Sequence, residues 1–161
     1  MTHDEYTALV AEGRFAELPG PLVPKGTVFE NENGTIENVL LRPATSFAVI
    51  RSKRGALRAN HWHRTDWHYI HVISGALLYF EEDRSWVPRT VPALKVLPGE
   101  TVFTGPLTRH AVLSLEDGVF VTMALKVRSH EEHEADVVRE ELVSRERADW
   151  LVAEFAKASA G

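Results

Sequence analysis

The chain changes its hydrophobic rhythm twice. Near the N-terminus, Tyr6, Leu9 and Val10 recur at helical spacing, and Thr2 with Glu5 makes a capping-box pattern, which predicts a short helix within residues 2–18, ended by Gly13. From about residue 35 to 127 the apolar residues come instead in short runs of Val, Leu, Phe and Tyr. Turn residues divide them at Lys53-Arg54-Gly55, Ser74-Gly75, Pro98-Gly99, Gly105-Pro106 and Asp117-Gly118. Such runs predict strands near 36–42, 46–51, 56–63, 68–73, 76–80, 92–97, 101–104, 109–114 and 118–127. The turns between them are too brief for crossover helices, so an antiparallel all-β sandwich or barrel is expected.

After residue 127 the chain turns acidic through His130-Glu131-Glu132-His133-Glu134, which reads as a solvated charged loop. Ser144 then opens a second helix whose apolar stripe is Ala148, Leu151, Val152 and Phe155. The expected organisation is an N-terminal helix and arm (1–34), a barrel (35–127) and an acidic C-terminal segment with a helix (128–161). Both helices are expected to pack on the outside of the barrel or on a partner subunit.

Composition narrows the function. At 161 residues the chain fits one domain. Its 18 Lys and Arg against 23 Asp and Glu give a net charge of -5, the wrong sign for a protein held on nucleic acid by phosphate neutralisation. No signal peptide or membrane span can be drawn, so the expectation is a cytoplasmic enzyme or binding protein with a small-molecule partner. Cysteine is absent, which removes disulfides, thiolate nucleophiles and Cys-based zinc sites. Any metal must sit on His or carboxylate. Four of the eight histidines fall between positions 61 and 71, and that cluster is where chemistry is expected.

His61 and His63 are two apart, so on a strand both rings point to one face, where one cation can bridge them. Asp66 lies in the following turn, and His68 starts the next run, where a hairpin can return a third ring. His110, at the start of a later strand, supplies a fourth. Four imidazoles inside a barrel cost free energy unless metal or hydrogen bonds satisfy them. One divalent metal ion per chain on His61, His63, His68 and His110 is therefore expected; neutral nitrogen sites accept Zn, Ni, Fe, Mn, Co or Cu. Trp62, between two ligands, must face away, and Trp62 and Trp67 read as outward or rim aromatics. His71, three past His68, points to the opposite face and reads as an interface or exposed histidine. Asp66 reads first as a turn-stabilising side chain. An outer face of Trp62, Tyr69, His71 and Ile73 would be easiest to bury against another subunit, so a homodimer is expected.

These spacings resemble the cupin superfamily. In its first motif, G-x5-H-x-H-x3,4-E-x6-G, Gly55, His61, His63 and Gly75 fall on the motif positions, with His68 where Glu is usual. In the second, G-x5-P-x-G-x2-H-x3-N, Gly99 and His110 match, while Gly105, Leu107 and Ser114 stand at the Pro, Gly and Asn positions. The resemblance covers roughly residues 36–127 and implies a double-stranded β-helix with a metal site. More narrowly, the string from Asn60 to Tyr69 and the tail Glu134-Ala-Asp-Val-Val-Arg resemble small single-domain cupins of bacterial sugar-nucleotide and polysaccharide biosynthesis, which include isomerases and epimerases of nucleotide-linked keto sugars. The change of Glu to His68 leaves a divalent ion with a local charge of +2 instead of +1, a stronger Lewis acid, and removes the obvious carboxylate base.

Four ligands leave up to two octahedral positions for water or a substrate chelating through two oxygens, such as an α-hydroxy ketone or enediol. That polarises a carbonyl and acidifies the adjacent C–H, the step shared by isomerisation, epimerisation and elimination. Asp66, Tyr79 and a hydroxide on the metal are the candidate proton acceptors. The leading expectation is a Lewis-acid isomerase or epimerase of an oxygen-rich small molecule. An iron-dependent dioxygenase is the second reading, and a non-catalytic ligand-binding module the third.

Overall fold

The structure, a computed structural model, describes residues 1–83, 89–126 and 129–159. Its strands are β1 (Leu22–Val23), β2 (Val28–Asn31), β3 (Gly34–Glu37), β4 (Ser46–Ser52), β5 (Leu57–His63), β6 (His68–Ser74), β7 (Leu77–Asp83), β8 (Arg89–Val96), β9 (Thr101–Thr104), β10 (Thr108–Ser114), β11 (Gly118–Ala124) and β12 (Val137–Arg139). Helices α1 (His3–Ala11), α2 (His130–Asp136) and α3 (Arg145–Ser159) flank them. One five-stranded sheet has the order β1-β9-β6-β11-β4 and a second the order β12-β5-β10-β7-β8, with all pairings antiparallel. From β4 to β7 and again from β8 to β11 the chain alternates between the sheets, giving an all-β jelly roll.

Strand alternation decides where the core lies. Ile70, Val72, Leu77, Tyr79, Val96, Val102, Val112 and Phe120 come from both sheets and fill the space between them. The opposite face of the first sheet, with Tyr69, Phe103, Val121 and Met123, is covered by Tyr6 and Val10 of α1. On the outer face of the second, Phe80, Ala111 and Leu113 meet Ala148, Leu151 and Val152 of α3. Leu113 exposes no surface, a burial that stabilises by about 2 kcal/mol. Both helices begin as their sequences dictate. Thr2 Oγ1 accepts from Glu5 N at 3.2 Å while Thr2 N donates to Glu5 Oε2 at 2.7 Å, and Ser144 Oγ accepts from Arg147 N at 3.2 Å.

Several expectations need correction. The helix expected within 2–18 ends at Ala11, with Gly13 just beyond its cap and a separate 3-10 turn at Phe15–Glu17. The strand expected at 36–42 is the shorter β3, which among the described residues pairs with β2 alone, in a hairpin. The end of the run expected at 118–127 lies outside the described residues at 127. The acidic stretch around His130 is not a loop but α2, capped by Ser129, whose Oγ accepts from Glu132 N at 3.3 Å. The sheets also recruit β1 from the arm and β12 from the C-terminal segment. Trp67 is buried beneath α1, not at a rim. His71 is buried as well, its Nδ1 2.9 Å from Thr101 Oγ1. The outer face expected to seek a partner is thus partly covered by the chain's own α1.

Candidate metal centre

The path to the site starts with a break in β5. Leu57 points outward into the α3 core, so unbroken alternation would send His61 and His63 outward too. Instead Ala59 and Asn60 take left-handed backbone conformations (φ +63° and +55°), and the register against β10 jumps from Ala111↔Ala59 to His110↔His61. The extra residue is a β-bulge, and it turns the histidine pair into the barrel. Asn60 is held outside: its Oδ1 accepts from Leu142 N and Val143 N, each at 3.0 Å, and its Nδ2 donates to Val143 O at 2.8 Å.

On β10, His110 has the parity of inward-facing Val112 and stands between His61 on one side and Glu81 of β7 on the other. From the opposite sheet, His68 shares its face with Ile70 and Val72. Ring centroids are 4.9 Å apart for His61–His63, 4.8 Å for His61–His110, 5.5 Å for His63–His68 and 5.0 Å for His68–His110. His61, His63 and His110 each offer a nitrogen within 4.8 Å of the other two. The nitrogens of His68 lie outside that group, although its ring adjoins two of the three.

The donor chemistry fits a divalent metal. His110 Nδ1 is 3.1 Å from the carbonyl of Thr108, which can only accept, and His63 Nδ1 is 3.1 Å from Asp136 Oδ2. Each ring therefore carries its proton on Nδ1 and its lone pair on Nε2. Such outer hydrogen bonds fix tautomer and orientation in metal-ligating histidines. Asp136 also accepts from Thr65 N at 3.0 Å, Thr65 Oγ1 at 2.7 Å and Asp66 N at 3.2 Å. Burial raises its pKa, but these donors outweigh that and hold the carboxyl below its usual range.

Asp66 is buried, and its Oδ1 accepts from Trp67 N at 2.9 Å and Lys126 N at 3.1 Å, which ties two loops together beside His63. Tyr79 lies deeper between the sheets. Its hydroxyl donates to Glu81 Oε2 at 3.0 Å and stands 2.7 Å from Thr104 Oγ1. Burial, then the Glu81 charge, raise its pKa well above the usual tyrosine range, so the phenol keeps its proton at neutral pH. Trp62 faces away from the centre, as expected, and donates to Glu140 Oε2 at 3.0 Å.

Sequence reasoning missed three groups. Glu81 comes to stand beside His110 only through the β7–β10 register. Asp136 and His133 arrive on a segment read as a loop. A cavity of about 480 Å³ opens at the barrel mouth, lined by His63, Asp66, Lys126, Glu132, His133 and Asp136.

No protein-family model and no curated protein sequence matches the chain. Solved structures do. The dTDP-4-dehydrorhamnose 3,5-epimerase from Elizabethkingia anophelis matches with a TM-score of 0.60 at 14% identity, over 71% of this chain and 75% of that one. The 3′-monoepimerase ChmJ from Streptomyces bikiniensis, in complex with dTDP-quinovose, matches with a TM-score of 0.59 at 20% identity, over 71% of this chain and 66% of that one. The QdtA 3,4-ketoisomerase from Thermoanaerobacterium thermosaccharolyticum, as a double mutant in complex with TDP, matches with a TM-score of 0.57 at 15% identity, over 83% of this chain and 92% of that one. At such identities the likeness is one of architecture. The chain has the all-β cupin jelly-roll fold.

Proposed function

We propose that this chain is a metal-dependent cupin enzyme that isomerises or epimerises an oxygen-rich small molecule, with a nucleotide-linked keto sugar as the substrate class. The observation that carries the reading is the gathering of His61, His63 and His110 at the mouth of a barrel, beside a cavity roomy enough for a sugar. The substrate class is supported by the structural neighbours, three of which are named as sugar-nucleotide epimerases or ketoisomerases. His61, His63 and His110, with His68 as the fourth, would hold one divalent ion per chain. When bound, the ion supplies Lewis acidity that makes the C–H beside a chelated carbonyl easier to ionise.

The chain's own residues supply the rest. Asp136 and the Thr108 carbonyl keep the ligand rings aimed inward. Tyr79, protonated and fixed between Glu81 and Thr104, is suited to donate a hydrogen bond or a proton, not to act as the base. Asp66, which lines the cavity, and Glu81, which accepts from the Tyr79 hydroxyl, are the proposed candidates for the proton acceptor. Asp66→Asn and Glu81→Gln test them separately: loss of proton exchange in one variant with metal retained identifies the acceptor. A homodimer remains the proposed assembly. Phe47, Val49 and Ile73 stay exposed on the outer face of the first sheet, and sedimentation at two protein concentrations checks it.

The direct test uses TDP-4-keto-6-deoxyglucose, the compound bound in one neighbouring ketoisomerase structure, with metal-loaded protein in D2O. Deuterium appearing beside the keto group without oxygen uptake is the expected result. Oxygen consumption would replace this reading with the dioxygenase. Tight binding with neither would leave a ligand-binding module.

A further inference from the structure

The open side of the centre is not bare. α2 crosses the barrel mouth and brings His133 to it, with ring centroids 5.6 Å from His63 and 6.1 Å from His61. Its position is built. Asp136, the last residue of α2, takes the four hydrogen bonds described above, and β12, which follows at once, pairs Val137 with His63 and Arg139 with His61 on the strand that carries two ligands. Ser129 caps the other end. His133 is half-buried and lines the mouth cavity, whereas His130, one turn earlier on the same helix, is exposed.

Ring spacing shows what such a position allows. A metal–nitrogen bond of about 2.1 Å plus the radius of an imidazole puts two rings on one ion roughly 4.5 Å apart at right angles and roughly 6.4 Å apart when opposed. Both His133 separations fall in that interval, towards the opposed end. So do the ring separations of the His61–His63, His61–His110, His63–His68, His63–His110 and His68–His110 pairs, from 4.8 to 5.8 Å. The His133 ring thus meets the same ring-spacing condition as the barrel ligands, while its nitrogens, like those of His68, lie outside the tight group of His61, His63 and His110.

We propose that His133 is a further ligand of the metal centre, delivered by α2 to the side that the barrel histidines leave open. The proposal rests on the metal-centre reading above. Five imidazoles on an octahedral ion would leave one position, so a substrate chelating through two oxygens would require one imidazole to leave, and His133, carried by α2 and not by a barrel strand, is the one assigned that part. α2 is then both part of the centre and its gate.

The test loads the full chain with Co2+ and records its visible absorption spectrum, together with Co2+ affinity measured against a competing chelator. Wild type is compared with His133→Ala, His133→Gln and His130→Ala, each checked for folding by circular dichroism. Loss of the His133 imidazole is expected to weaken Co2+ binding roughly tenfold or more and to shift the spectrum. Added imidazole should return the His133→Ala spectrum to that of wild type, and His130→Ala should match wild type throughout. If wild type binds Co2+ and both His133 variants keep its affinity and spectrum, the proposal is overturned while the barrel centre stands. If wild type itself binds no Co2+, the reading beneath the proposal fails with it.

Discussion

Leu107 holds a left-handed backbone (φ +60°) in the loop before His110, with its amide donating to the carbonyl of His63 at 2.8 Å. It occupies the position where the cupin pattern carries Gly, and an L-residue there costs about 1–2 kcal/mol. Leu107→Gly is therefore expected to raise stability by about 1 kcal/mol, read as a higher urea midpoint; a lower midpoint contradicts the assignment. Gly75 is the opposite case. Its φ is +79°, and an added Cβ would lie 2.8 Å from the carbonyl oxygen of Asp117 and 2.9 Å from Gly118 Cα, so Gly75→Ala should cost roughly 2 kcal/mol or more.

His71 gives the pH dependence at this scale. Burial lowers its pKa, with Glu37 opposing. The unfolded chain then binds more protons than the folded one below about 6.5. The contribution is complete above that pH and is lost as pH falls through the folded value. His71→Gln should flatten the stability profile on the acid side of 6.5, and an unchanged profile would remove His71 from the account.

At the scale of elements, alternation correctly placed His61 and His63 on one face of a strand but not which face. The Ala59–Asn60 bulge decides that, and its only written signal is Asn60, a residue that tolerates the left-handed region. β12 was illegible because Val137-Val138-Arg139 is too short to show a period; it forms because β5 would otherwise present an open edge beside the site. α2 was hidden by its charge, since no apolar stripe marks it. Asn60→Ala removes three hydrogen bonds to residues 142–143 and should destabilise by roughly 2 kcal/mol, with faster amide exchange along 137–143. Asp136→Ala frees the His63 ring and the start of β12, and is expected to weaken metal binding about 10–100-fold. Unaltered metal affinity in that variant would reduce Asp136 to a loop staple.

Across the whole molecule, the jelly roll was legible because most of its strands have one face in the intersheet core and the other under a helix or in solvent, so apolar runs and turn signals survive in the sequence. Barrel histidines were legible in part for the same reason: the two-residue spacing of His61 and His63 and the strand position of His110 survive in the sequence, although the Ala59–Asn60 bulge that aims the pair inward does not. Glu81, His133 and Asp136 were not, because pairing register and chain return bring them to the site. His68 stands between these cases, on the inward face as expected but with its nitrogens outside the tightest group.

The central claim is that these histidines hold one metal ion per chain. Mass-spectrometric metal content of untagged protein purified without chelators tests it, on wild type beside His110→Ala and His68→Ala. The account predicts close to one divalent ion per wild-type chain and a sharp fall in both variants. A wild-type chain that stays empty after reconstitution with Zn, Ni, Fe, Mn, Co and Cu in turn would contradict it.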